Sequence, residues 1–222
     1  MKILISSGAT REPIDEVRFI TNFSSGNTGA FLADFLSEQG HQVTFLAGEG
    51  SQRPRTAREV IPYSSFADLD RSFRELLGKR PFEGIIHLAA VSDYSVNSVE
   101  TSQGKFTPAE LKKIESADEE IGLRLRRNFK IVSKLKQYAQ PSNPTVVAFK
   151  LTDSASYQVQ MAAITKLSAE PGVDFVVHND LNDIKAEKAN RYKIFEKDRV
   201  MRESLDRHLL AVELEELLRS RQ

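Results

Sequence analysis

The run Asn22-Phe23-Ser24-Ser25-Gly26-Asn27-Thr28-Gly29 places an amide, hydroxyls and glycines directly ahead of the apolar stretch Ala30-Phe31-Leu32-Ala33-Asp34-Phe35-Leu36. A helix that starts in such a loop exposes its first backbone N–H groups, and its dipole favours an anion there. Gly26 and its serine neighbours therefore suit a phosphate. The same residues also suit an ordinary helix start in which Ser24 or Ser25 only caps the first turn, and the local sequence fits both readings equally.

Other small polar groups end the apolar runs of the chain. They are Ser7-Gly8-Ala9-Thr10, Ala90-Val91-Ser92-Asp93-Tyr94, Phe149-Lys150-Leu151-Thr152 and Asn179-Asp180. In an open parallel sheet, ligands bind outside the carboxyl ends of the strands, so these groups would meet at one rim together with the Asn22 to Gly29 loop. Their coincidence points to a nucleotide or phosphate ligand.

Several chemistries are disfavoured. Gly8 is the only glycine after the opening strand before Gly26, so the dinucleotide fingerprint is missing. No tyrosine is followed by lysine four residues on, and Asn27-Thr28 stands where a P-loop needs Lys-Ser/Thr. The chain has no cysteine, which removes thiol nucleophiles, disulfides and thiolate zinc sites and fits a reducing cytoplasm. Its 4 histidines are scattered, so a protein-built metal site is not expected. With 31 basic and 31 acidic residues there is no global field to attract nucleic acid or an anionic membrane, and no apolar run approaches a membrane span.

The elements that must position these residues are readable from periodicity. Strands are expected at Lys2 to Ser6, Gln42 to Ala47, Arg58 to Pro62, Gly84 to Ala90, Thr145 to Phe149 and Asp174 to His178. Helices are expected near Gly29 to Gln39, Phe66 to Leu77, Lys130 to Tyr138, Ala155 to Leu167 and Glu203 to Leu218, the last with Leu205 and Leu209 on its apolar stripe. Such alternation predicts an α/β fold: a Rossmann-like three-layer sandwich with a mostly parallel sheet. Two features fall outside it. Residues 95–119 read as a long polar loop, and Ile121, Leu123 and Leu125 form a strand-like arm with no place in the central sheet. Tyr192 to Glu196 and Val200 to Arg202 read as a hairpin.

Three longer blocks carry a family likeness: Ser7-Gly8-Ala9-Thr10-Arg11-Glu12-Pro13-Ile14-Asp15, Val17 through Gly26, and Ala89-Ala90-Val91-Ser92-Asp93-Tyr94, with Asn179-Asp180 farther on. Together they closely resemble phosphopantothenate-cysteine ligase, also called phosphopantothenoylcysteine synthetase, over nearly the whole chain. The form Phe149-Lys150-Leu151 is similar to monofunctional members. The resemblance implies a single ligase domain over residues 1–222, with 95–127 as flap and dimerisation arm. It also implies a cytoplasmic homodimer without a fused flavin-containing part, and a separate phosphopantothenoylcysteine decarboxylase downstream in coenzyme A biosynthesis.

The implied reaction needs no enzyme nucleophile. The carboxylate of 4'-phosphopantothenate attacks the α-phosphate of CTP, favoured here over ATP, with Mg2+; L-cysteine then displaces the nucleotide from the acyl nucleotidylate. By resemblance, Asn22 holds the acyl intermediate and Lys113, on the flap, supports its formation, with Lys112 as the alternative. Gly8, Ser24, Ser25, Gly26, Ala89, Ala90, Asp93, Asn128 and Phe149 are implied at the nucleotide. Lys166 matches one triphosphate lysine; a second has no match near Pro171, and Lys150 could compensate. Asn128-Phe129-Lys130-Ile131 departs from the family Asn-Pro-Asp-Ile. Each residue also has a bland reading: an Asx turn for Asn22, close packing for the alanines, a cap for Asp93 and a solvated side chain for Lys113. An NAD(P)-dependent reductase and a non-catalytic nucleotide-binding module are the alternatives to the ligase.

Overall fold

The fold is described from a computed structural model, which covers residues 1–115, 118–154, 156–183 and 191–222. Strand β1 (Lys2–Ser7) leads into a hairpin of β2 (Arg11–Pro13) and β3 (Phe19–Thr21), helix α1 (Asn27–Glu38), and strands β4 (Gln42–Gly48) and β5 (Glu59–Tyr63). Helix α2 (Phe66–Lys79), β6 (Gly84–His87), β7 (Tyr94–Thr101), β8 (Gly104–Phe106) and β9 (Gly122–Arg127) follow. The chain continues with α3 (Leu135–Tyr138), β10 (Thr145–Thr152), α4 (Tyr157–Ser168), β11 (Phe175–Asp180), β12 (Tyr192–Glu196), β13 (Arg199–Ser204) and α5 (Arg207–Arg219).

The central sheet has 8 strands in the order β13-β12-β11-β10-β6-β1-β4-β5. From β5 through β11 the neighbours run parallel, while β12 and β13 extend the sheet antiparallel. Parallel strands covered on both sides are apolar on both faces, and alternate residues here split cleanly between two cores. Ile3, Ile5, Phe45, Ile86 and Val147 pack with α1 and α5, whereas Leu4, Leu46, Ile85, Val146 and Ala148 pack with α2 and α3. Helix α4 lies on the second side, where Ile164 meets Val176.

Helix α2 illustrates the local cause. Ser65 and Asp68 form a reciprocal capping box, and Phe66, Leu69, Phe73, Leu76 and Leu77 are its buried stripe. Burying each such side chain is worth about 1.5–3 kcal/mol.

Several boundaries differ from the periodicity. Glu203 and Ser204 belong to β13, so the last helix begins at Arg207 and Leu205 is left 65% exposed outside it. Asp206 sets that start by accepting a hydrogen bond from the Leu209 amide at 2.8 Å. The helix expected at Lys130 to Tyr138 is a 3₁₀ turn over Ile131–Lys134 followed by the single α-turn of α3. Residue 155, the expected start of α4, lies outside the described residues.

The expected loop at 95–119 is largely structured. Strand β7 pairs antiparallel with β8 and β9, giving a 3-stranded sheet that contains Leu123 and Leu125 of the expected arm, with Ile121 just ahead of it. Alternation in Val96 to Val99 is masked by Asn97 and Ser98, which hid the strand. The β2–β3 hairpin, with no more than 3 residues per strand, was too short to show a period.

Candidate active site

The tips of β1 and β6 are welded into one platform. Ala9 bridges to Ala90 beyond the strand ends, Ala90 N donates to Gly8 O at 2.8 Å, and Ser92 N donates to Thr10 Oγ1 at 2.9 Å. From below, the Tyr63 hydroxyl donates to Ser7 O and Gly8 O at 3.0 and 3.1 Å. Burial alone pushes that phenol's pKa up, so it stays a donor.

Asn22 follows β3 and reaches across to this platform. Its Nδ2 donates to Ala90 O and Val91 O at 3.5 and 3.4 Å. Four residues on, Gly26 is the N-cap of α1 with φ +78°, a conformation that favours glycine, and no side chain caps the turn. Ser25 Oγ accepts only a long bond of 3.4 Å from Asn27 N. Gly29 meets the end of β1 so closely that a Cβ would lie 2.3 Å from Ser7 Oγ. The first turn of α1 thus lies directly over the β1 tip with its donors facing a cleft.

That cleft has a volume of about 450 Å³, within the range of small-molecule sites. Phe23, Ser24, Ser25, Gly26 and Gly29 line one side; Ala89, Ala90 and Phe149 line the other; Asn179, Tyr192 and Arg207 close the far end. Tyr192 OH and Thr28 Oγ1 lie 3.3 Å apart, joining that end to α1. Burial raises the Tyr192 pKa, so this hydroxyl also stays protonated.

The structure therefore gathers Ser24, Ser25, Gly26, Ala89, Ala90 and Phe149 around one cleft, with Gly8 beneath, while Asn22, bonded to Ala90, lines a neighbouring cavity of about 440 Å³ that shares Phe23, Ser24 and Ser25. It does not gather the remaining expected residues. Lys150 is next to Phe149 on β10, and strand alternation sends it to the opposite sheet face. Lys166 sits in the last turn of α4, whose first turn is the end nearest the β10 tip; nine residues of helix put it roughly 13 Å below the rim. Asp93 pairs with Lys130, one of the two residues that depart from the family pattern. Asn128 is a staple: its Nδ2 donates to Ser92 O and Ser95 Oγ at 3.0 and 2.9 Å, and it borders a separate 950 Å³ cavity beside β7 and β9.

Lys113 lies at the far tip of the β2–β3 hairpin. There the buried Asp15 carboxylate accepts from Val17 N, Arg18 N, Arg18 Nη1 and Ile114 N at 2.6 to 3.0 Å, tying residues 14–18 to the segment carrying Lys113. Burial works against this charge, but the Ile114, Val17 and Arg18 donors outweigh it and bring the Asp15 pKa down to about 2. At the β10–β11 tips, Asp180 is likewise lowered to about 2, with burial outweighed by Thr152, Asn182 and Ser154 donors.

Residues 1–219 match the family model of the DNA/pantothenate metabolism flavoprotein C-terminal domain. The chain belongs to this family. It is 30% identical over 187 residues to the coenzyme A biosynthesis bifunctional protein CoaBC of Thermococcus kodakarensis, covering 84% of this chain and 43% of that protein. To the CoaBC of Bacillus subtilis it is 29% identical, over 81% of this chain and 40% of that one. It is also 32% identical to a cysteine/cysteine sulfinic acid decarboxylase from an unknown prokaryotic organism, over 88% of this chain and 51% of that one. The chain thus spans about half the length of these curated relatives or less.

Among solved structures, the DNA/pantothenate metabolism flavoprotein of Streptococcus pneumoniae superposes with a TM-score of 0.85 at 26% identity, over 100% of both chains. A Cab2 mutant in complex with phosphopantothenate-cysteine superposes with a TM-score of 0.74 at 17% identity, over 99% of this chain and 86% of that one, a likeness of fold. Family motifs exposed the Asn22 loop and the alanines, but Tyr192 and Arg207 carry no local motif. They reach the cleft only because β12 and β13 run antiparallel and return the chain to the rim. Among the described residues no group of three or more acidic or histidine side chains could hold a metal, and no helix is long and apolar enough to cross a membrane.

Proposed function

We propose that the chain joins 4'-phosphopantothenate to the amine of cysteine through an acyl nucleotidylate, with CTP as the favoured donor over ATP. The observation carrying this reading is the placement of Asn22 against the Ala90 platform, beside an α1 first turn that no side chain caps. One carboxylate oxygen of phosphopantothenate attacks the α-phosphorus as the bond to pyrophosphate breaks. The cysteine nitrogen then attacks the activated carbonyl carbon; the carbon–oxygen bond to the nucleotide breaks and the ammonium proton is released to solvent. Every covalent change occurs between substrates, which agrees with a chain that has no cysteine.

The protein's task is then orientation and charge stabilisation. The Asn22 amide donates to the acyl oxygen as negative charge develops, the α1 turn holds a phosphate, and Phe149 offers a face to the base while Ala89 and Ala90 leave it room. No carboxylate lines the cleft among the described residues, so Mg2+ belongs to the substrate, arriving on the triphosphate oxygens. Lys113, held at the hairpin tip, serves the site of a second copy, and the homodimer forms through the exposed arm. The product passes to a decarboxylase, in the cytoplasm.

Incubation with phosphopantothenate, cysteine, Mg2+ and either CTP or ATP tests the reading through pyrophosphate release and amide product. Turnover with neither nucleotide sinks it. Asn22→Ala is expected to lower kcat by about 10²–10³-fold, as loss of one oxyanion donor does. An unchanged kcat would remove Asn22 from the mechanism.

A further inference from the structure

Arg207 is the one charged residue lining the 450 Å³ cleft among the described residues. It also lines an adjoining 550 Å³ groove along α1, sharing with Asn27 the position where the two cavities meet. Its guanidinium carbon lies 5.6 Å from the centre of the Phe31 ring, which steadies the side chain without neutralising it. Its positive charge reaches the Tyr192 phenol and acts to lower that group's pKa. No carboxylate pairs with it among the described residues.

Its place in the helix is unfavourable for stability. Arg207 is the first residue of α5, where a cation opposes the helix dipole, and the first turn has no acidic residue beyond the Asp206 cap. A cation kept in such a position, with no carboxylate partner among the described residues and only the Phe31 ring beside it, breaks a local rule for a small structural gain. The lysines expected to neutralise phosphate lie elsewhere: Lys150 on the opposite sheet face, Lys166 below the rim and Lys113 at the hairpin tip.

We propose that Arg207 is the phosphate-gripping residue of the cleft. Its planar fork bonds two phosphate oxygens while the α1 first turn donates from the other side. This rests on the reading of the cleft as a phosphate site. The ligand chemistry is a phosphate group, from either the nucleoside triphosphate or phosphopantothenate.

Calorimetric titrations of inorganic pyrophosphate, CTP and 4'-phosphopantothenate into the full chain, Arg207→Ala and Arg207→Lys separate the sources. Arg207→Ala is expected to bind at least tenfold more weakly, with partial recovery in Arg207→Lys and a Tm no lower than wild type. A loss for pyrophosphate and CTP assigns Arg207 to the triphosphate; a loss for phosphopantothenate alone assigns it to that substrate. Affinities within twofold of wild type for all three would overturn the proposal. If Arg207→Ala also melts early, Arg207→Lys decides: restored binding supports the grip, and wild-type Tm with lost binding of every ligand limits it to a guanidinium fork. If the wild type binds pyrophosphate but makes no amide, the ligase reading fails and the Arg207 comparison on pyrophosphate still stands. If the wild type binds none of the three, both fall.

Discussion

The central sheet and the small β7–β8–β9 sheet use the same aliphatic residues to opposite ends. In β1 and β4, Ile3, Ile5, Val43 and Phe45 are wholly buried beneath α1 and α5, and the chain closes its own core. In β9 every residue is exposed, with Leu123 at 36% and Leu125 at 48%, and among the described residues no helix covers the face. Alternating strands need cover on the apolar side, so the central sheet is complete within the chain, whereas the small one leaves Leu123 and Leu125 open. The proposed site residues divide the same way: the Asn22 platform rests on the closed sheet, and Lys113 lies in the segment that links β8 to β9.

Three substitutions probe that contrast. Phe45→Ala strikes the closed sheet and should cost about 3–5 kcal/mol, because a buried ring leaves a cavity that strands on both sides cannot fill. Urea unfolding would register it, and a loss below 1 kcal/mol would mean the core is not close-packed there. Asp15→Asn strikes the seam between the hairpin and the arm. Removing the charged acceptor there should cost about 1–3 kcal/mol and speed amide exchange at Ile114 before any core amide.

The seam also has a pH signature. The Asp15 carboxyl is depressed from 3.8 to about 2 in the folded chain, so its contribution is present above 3.8 and is lost as pH falls through about 2. Wild type and Asp15→Asn should therefore converge in stability across that window, while the similarly depressed Asp180 continues to titrate in both. A gap that stays constant from pH 5 to pH 2 would show that Asp15 is not charged at the seam. The smallest effect on folding is expected for Leu125→Arg, within about 0.5 kcal/mol for the single chain, since that residue is 48% exposed. Sedimentation should nevertheless shift from dimer to monomer. A wild type that sediments as a monomer at every concentration would leave the arm's cover to something other than a second copy.

How much of this could be read from the sequence depended on how local the cause was. Buried parallel strands announce themselves as β-branched runs, and the Phe66 to Leu77 stripe gave α2 within two residues of its end. The Asn22 to Gly29 loop was legible because glycines and serines before a helix have few uses. The lysines lie outside this cleft for a different reason. Sequence likeness assigns a charge to a ligand, but strand parity places Lys150 on the other face from Phe149, and helix direction carries Lys166 away from the rim. Both facts are contained in the pattern once β10 and α4 are fixed. Arg207 was not legible, because its approach depends on β12 and β13 reversing beside β11.

The Asn22 amide spends both of its hydrogens on the carbonyls of Ala90 and Val91, at 3.5 and 3.4 Å. These are stretched bonds, weak compared with one near 2.9 Å. Under the proposed reaction, an arriving acyl oxygen would therefore not fill an idle donor; it would compete with two distant rivals. Such an exchange of partners would keep the count of hydrogen bonds nearly level while improving their length.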